Sequence, residues 1–283
     1  MRYPPLPIPP PVSFSTRASG VLRLPTLFRI AAEAGVDAID LDLSGRPGHP
    51  EPTFVARLAE ESGIPVNAVW VPRVAAGPWD RSRRESATRF AAELAEATFA
   101  STLVIDVRST AAGWFSRSTL ATVADALRER FGDDVRVAVA LRAHQLEGGR
   151  GHLAQLGIFQ RFVEEWDLDV ALDLLGSIDP RWEVEAVINR LLPRLAVIRL
   201  GSFASRLPAR GRARMTARVL AAALDAGFGG ILALAPSLPV WQTGWAPALA
   251  RAAAAAGDHV RLRYSAIYEQ PAFDSSPDPR LRF

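Results

Sequence analysis

Apolar positions along this chain follow two periods in alternation. Short stretches with a period of two predict strands at Val12 to Thr16, Asp37 to Leu43, Pro65 to Val71 and Thr102 to Val107. Four more follow at Val135 to Leu141, Val170 to Leu174, Leu195 to Leu200 and Ile231 to Leu234. Between them, helical spacing predicts Leu24 to Ala34, Thr53 to Ser62, Arg81 to Ala97 and Ser118 to Phe131, the last with Ser118 as N-cap. The same spacing continues over His152 to Trp166, Pro180 to Leu192, Thr216 to Ala226 and Ala246 to Ala256. Gly35, Gly63 and Gly227 stand where three of these helices should stop.

Strands and helices alternating in units of about 35 residues predict an α/β fold, a single parallel (β/α)8 TIM barrel. A doubly wound open sheet is the alternative, but no glycine-rich dinucleotide fingerprint follows the first strand. The predicted organisation is an extended proline-rich lead-in over residues 1–11, a barrel over 12–258 and a C-terminal extension over 259–283. Within that extension Val260 to Tyr264 has strand-like alternation. Pro271 to Phe283 reads as an extended tail, a candidate contact with a second copy of the chain.

Composition changes this picture mainly by what it leaves out. The 283 residues include no cysteine, which excludes disulfides, thiolate nucleophiles and cysteine-bound metal centres. All 33 residues of the Lys+Arg count are arginine. Without lysine there is no Schiff-base chemistry, no covalently held pyridoxal phosphate and no P-loop. The net charge of only +3 shows that the high pI reflects the pKa of arginine rather than a large cationic excess. The densest cluster, Arg206 to Arg214, reads as a solvated surface or an anion contact, so no nucleic-acid partner is expected. No apolar run is long enough to span a bilayer, and the proline-rich start is unlike a signal peptide. The expected location is cytoplasmic, with no membrane partner.

The alternation also sorts each strand into a face toward the helices and a face toward the barrel lumen. The lumen side collects Ser13, Ser15 and Arg17, then Asp40 and Asp42, then Asp106 and Arg108. It continues with Ala138, Ala140 and Arg142, then Ala171 and Asp173, then Val197 and Arg199, then Ala233 and Ala235. The third strand is ambiguous, with Trp70 or Val71 pointing inward. Four arginines thus meet four aspartates at the C-terminal mouth, where barrels of this kind place their chemistry. Two arrangements satisfy such a set: a self-neutralising ion network, or a polar pocket in which arginine forks hold a phosphate or carboxylate. The small alanines would leave room for that ligand. Trp70, Trp79, Trp114 and Trp241 fall in or near the upper loops, where an indole can pack or stack on a sugar face.

The segment Leu27 to Leu41, reading LFRIAAEAGVDAIDL, resembles the first helix and second strand of the xylose-isomerase-like TIM barrels. That group holds sugar-phosphate isomerases and epimerases and the endonuclease IV-type enzymes. The resemblance implies a divalent metal at the mouth, held by a Glu ending strand five, an Asp ending strand six, a His on strand seven and a Glu on strand eight. At those places this chain carries Arg142, Asp173, Arg199 and Ala235, and Gly176 stands where a further His often follows the Asp. Only Asp173 matches. An arginine is not a metal ligand, and its charge repels one. The expectation is therefore no family-type metal and no cofactor, with Arg142 and Arg199 supplying positive charge instead.

The site residues expected from this reading are Asp173, Asp40, Asp106 and His144 as candidate acid–base groups. Arg17, Arg108, Arg142 and Arg199 are the candidate contacts to a small anionic or sugar-like ligand. An active enzyme of this kind would move a proton next to a carbonyl in isomerisation, epimerisation or dehydration, with an aspartate as base and Arg142 and Arg199 holding the enediolate. The alternatives are a non-catalytic ligand sensor or partner protein and, if the strand alignment is shifted, a metal-dependent sugar isomerase.

Overall fold

In the computed structural model the described residues are 10–19, 22–43, 49–71, 81–105, 114–142, 152–174, 183–201, 218–235, 258 and 261–262. Eight parallel strands close on themselves in chain order, each hydrogen-bonded to the next and the eighth to the first. They are β1 (Val12–Ser15), β2 (Ala38–Asp42), β3 (Val66–Val71) and β4 (Thr102–Ile105). The barrel continues through β5 (Arg136–Arg142), β6 (Asp169–Leu174), β7 (Leu195–Gly201) and β8 (Ile231–Ala235). The intervening helices are α1 (Leu24–Ala34), α2 (Pro52–Ser62), α3 (Arg81–Thr98), α4 (Trp114–Phe131), α5 (His152–Glu165) and α6 (Val184–Leu191), and residues 218–225 form α7. The predicted eighth helix, 246–256, the tail from 263 and residues 1–9 of the lead-in lie outside the described residues.

α1 shows how the local signals work. Leu24, Leu27, Phe28, Ile30, Ala31 and Ala34 are buried along one stripe, and Pro25 enters the first turn, where its missing N–H costs nothing. Gly35 ends the helix at φ +64°, a left-handed conformation that a side chain would strain, and donates its N–H to the Ala32 carbonyl.

Period-two alternation on the strands produces two apolar layers. Outward residues such as Ile39, Leu41, Val69, Val71, Leu103 and Leu172 pack against the helices. Inward residues Ala68, Trp70, Val104, Ala138, Ala140, Ala171, Val197 and Ala233 form a separate cluster inside the barrel. This resolves the third strand: Trp70 faces the lumen and Val71 the helices.

Three local expectations need correction. α4 begins at Trp114, so Ser118 is inside the helix rather than its N-cap. α6 begins at Val184 rather than at Pro180, because its buried stripe of Val184, Val187, Ile188 and Leu191 starts there, and a 3-10 turn over Leu192–Arg194 replaces its predicted last residue. Arg261 and Leu262 are helical, not strand-like. Leu262 is exposed, so it does not itself mark a buried face. Arg261 instead donates to the Gly35 carbonyl at 2.9 Å and to Asp37 at 3.2 Å, docking this segment under the α1–β2 corner.

Candidate functional site

The polar groups of the lumen lie above the alanine-rich layer, at the C-terminal ends of the strands. Thr16, in the 3-10 turn Thr16–Ser19 after β1, clasps the end of β2. Its hydroxyl donates to the Asp42 carbonyl at 2.9 Å and accepts from the Asp42 N–H at 2.8 Å. That clasp sets Arg17 beside Asp42, and Arg17 Nη1 donates to Asp42 Oδ2 at 3.2 Å.

Arg199 enters from β7 and is wholly buried, with 0% side-chain exposure. Its Nε donates to Asp40 Oδ2 and its Nη1 to Asp42 Oδ2, both at 2.8 Å. Nη1 also stands 3.9 Å from Asp173 Oδ2 on the adjacent strand. One face of the guanidinium lies on Trp70, its central carbon 3.3 Å from the ring centroid. The same indole donates from Nε1 to Asp40 Oδ1 at 2.5 Å. Asp40 is thus gripped by a cation on one oxygen and a neutral donor on the other. Arg142, register partner of Asp173 across β5 and β6, places its Nε 3.8 Å from Asp173 Oδ2.

Burial pushes the Asp40 carboxyl above its ordinary range, against the pull of Arg199, Ser15 and Trp70. Burial also disfavours the charged form of Arg199, but the carboxylates of Asp40, Asp42 and Asp173 outweigh it and raise its pKa. Arg199 therefore stays cationic, and the network is organised around a permanent buried charge.

The structure brings Arg17, Asp40, Arg142, Asp173 and Arg199 together as the alternation predicts. Asp106, Arg108 and His144 lie outside the described residues, as do Arg73, Trp79, Trp241 and the cluster at 206–214. The lumen alanines share the interior with two large side chains: Trp70 and Arg199 are the largest fully buried side chains among the described residues, and Trp70 clusters with Ala138, Ala140, Ala171 and Ala233. Trp70 also stands within β3 at 1% exposure, so it is not an upper-loop platform for a sugar ring.

The described residues at this place do not fit a divalent metal. Asp173 Oδ2 already has two guanidinium nitrogens near it, Arg199 Nη1 at 3.9 Å and Arg142 Nε at 3.8 Å, and a divalent ion on that oxygen would be repelled by both. Among the described residues, no three carboxylate or imidazole side chains assemble as a ligand set.

The fold and the site define an eight-stranded TIM barrel with an arginine–aspartate network across its mouth. Its fold is similar to that of solved xylose isomerase-like TIM barrels. Similar structures include a xylose isomerase-like TIM barrel/4-hydroxyphenylpyruvate dioxygenase fusion protein, at 14% identity and TM-score 0.65 over 96% of this chain. This chain spans only 46% of the fusion protein. A D-allulose 3-epimerase from Methylomonas sp. in complex with D-allulose is similar at 13% identity and TM-score 0.64, over 92% of this chain and 99% of its own. A sugar phosphate isomerase/epimerase from Parabacteroides distasonis is similar at 10% identity and TM-score 0.59, over 91% and 95%. At these identities the likeness is one of fold. No family model matches the sequence, and no curated protein does. No helix among the described residues is long and apolar enough to cross a membrane.

Proposed function

We propose that this barrel binds a small anionic or sugar-like ligand at its C-terminal mouth, and that Arg199, not a divalent ion, supplies the central positive charge. The observation that carries this reading is the placement of the three described arginines. Arg199 is sealed, whereas the side chains of Arg17 and Arg142 keep 19% and 17% of their surface exposed. A fixed buried cation beside two partly exposed ones is a setting for a ligand with hydrogen-bond acceptors.

The same geometry supports binding over proton-transfer catalysis. A general base must reach the proton it removes. The raised pKa of Asp40 would suit such a role, but both its oxygens are engaged within the barrel and it is fully buried. Asp42 and Asp173 are also buried, at 1% and 4% exposure. A ligand sensor or a catalytically silent relative of the sugar isomerases fits this sealing of the described carboxylates. Thermal melts of the purified chain test the reading. Stabilisation by inorganic phosphate or glucose 6-phosphate, with no shift from manganese, is the expected result. A manganese shift with turnover of a sugar would overturn it in favour of a metal-dependent isomerase.

A further inference from the structure

Just past six of the helices stands a residue with left-handed backbone. Four of the six are glycine: Gly35, Gly63, Gly132 and Gly227. After α5 it is Asp167, a residue type that tolerates this conformation. After α3 it is Phe99, at φ +55°. The Phe99 N–H donates to the Glu96 carbonyl and the Ala100 N–H to the Ala95 carbonyl, which holds the turn in place. A bulky side chain is strained there, and Phe99 is also 92% exposed, more than any other large apolar residue among those described. Glycine would remove both costs. Phe99 stands at the N-terminal end of the barrel, opposite the mouth. Glu96 and Arg130 tie the ends of α3 and α4 together with two bonds of 2.7 Å, which sets the turn of Phe99 beside the turn of Asp133 and Asp134. Both aspartates are exposed, and neither is in an ion pair among the described residues. Glu93 adds a further exposed carboxylate near Arg130, and Arg136 is taken up by Asp169 at 3.4 Å. Phe99 thus rises from an acidic surface on a chain of net charge +3.

We propose that Phe99 and the acids beside it hold the chain's own segment Arg280-Leu281-Arg282-Phe283. The segment lies outside the described residues, and its sequence alternates cationic and apolar side chains. Its guanidiniums complement Asp133 and Asp134, and Leu281 and Phe283 supply apolar cover for Phe99. The chain is already fastened at this end of the barrel, where Arg261 donates to the Gly35 carbonyl at 2.9 Å and to Asp37 at 3.2 Å. Eighteen residues lead from Leu262 to Arg280. Such a length can span about 60 Å, more than the roughly 50 Å diameter expected of a domain of this size. Tethering makes the contact intramolecular and favours it over the same segment of another molecule. The identical face of a second copy is a poor occupant, because it would set acid against acid. The inference is independent of the ligand proposed for the mouth, which lies at the other end of the barrel.

Thermal melts of the full chain in a double-mutant cycle test the contact. The variants are Phe99→Ala, the pair Leu281→Ala with Phe283→Ala, and all three substitutions together. Phe99 is on the surface, so its replacement leaves the core intact. The expected result is a combined loss in melting midpoint smaller than the sum of the separate losses by about 2 °C, the worth of one aromatic contact in a chain of this size. The midpoints should not move over a roughly tenfold range of protein concentration, as an intramolecular contact requires. Losses that simply add overturn the proposal and leave Phe99 to a partner of another kind. Coupling accompanied by midpoints that rise with protein concentration also overturns it, in favour of the same segment reaching across from a second copy.

Discussion

Two arginine–carboxylate arrangements in this molecule have bonds of similar length and opposite consequences. On the surface, Arg218 grips Glu185 with Nε at 2.8 Å and Nη2 at 2.6 Å. In the lumen, Arg199 grips Asp40 and Asp42 with two bonds of 2.8 Å. The surface pair is about half exposed at its glutamate, so water screens it and solvates either partner left alone. The lumen set is sealed, so each charge depends on the others. Distance does not rank these interactions; the medium does.

Four changes would sharpen that contrast, in descending size. Arg199→Met should cost about 3–5 kcal/mol in a urea melt at neutral pH, because it strands buried carboxylates. Adding Asp40→Asn to that variant should recover part of the loss; full stability in the single variant would contradict the network. Trp70→Phe should cost about 2 kcal/mol, through the lost Nε1 donor to Asp40 and a weaker cation–π face under Arg199.

The third change concerns pH. The folded pKa of Asp40 is raised, so between the ordinary carboxylate range and that raised value the folded state holds more protons than the unfolded one. This group therefore removes stability as pH rises through that window. Asp40→Asn should flatten that slope in urea melts taken across pH 4 to 8, and an unchanged slope would count against the shift. The smallest effect belongs to the surface. Arg218→Met should change stability by no more than about 1 kcal/mol, and less in high salt, as thermal melts at two ionic strengths would show.

The fold was legible in the sequence because two different periodicities repeat along the chain. Each strand's inward set could be read one residue at a time, which brought Asp40, Asp173, Arg142 and Arg199 to one place before any coordinates. Trp70 was not legible in the same way. The register between β2 and β3 shifts between Ile39 and Asp40, opposite Val66 and Ala68, and strict alternation is lost there. Its indole turned out to be the floor on which the central arginine rests. The Thr16 clasp was equally invisible, since a hydroxyl's reach to the backbone of another strand depends on how β1 and β2 lie side by side. The alanines were read correctly as lumen residues, but their small size makes room for Trp70 and Arg199, which a pattern of positions does not reveal.

The proposed source of positive charge at the mouth of this barrel is a side chain, Arg199. Metal content of the protein, purified without chelator and measured by plasma mass spectrometry, tests it most directly. The expected result is no manganese, zinc or magnesium at stoichiometric level, and none gained on dialysis against manganese. One tightly held metal per chain, lost together with Asp173→Ala, would contradict it.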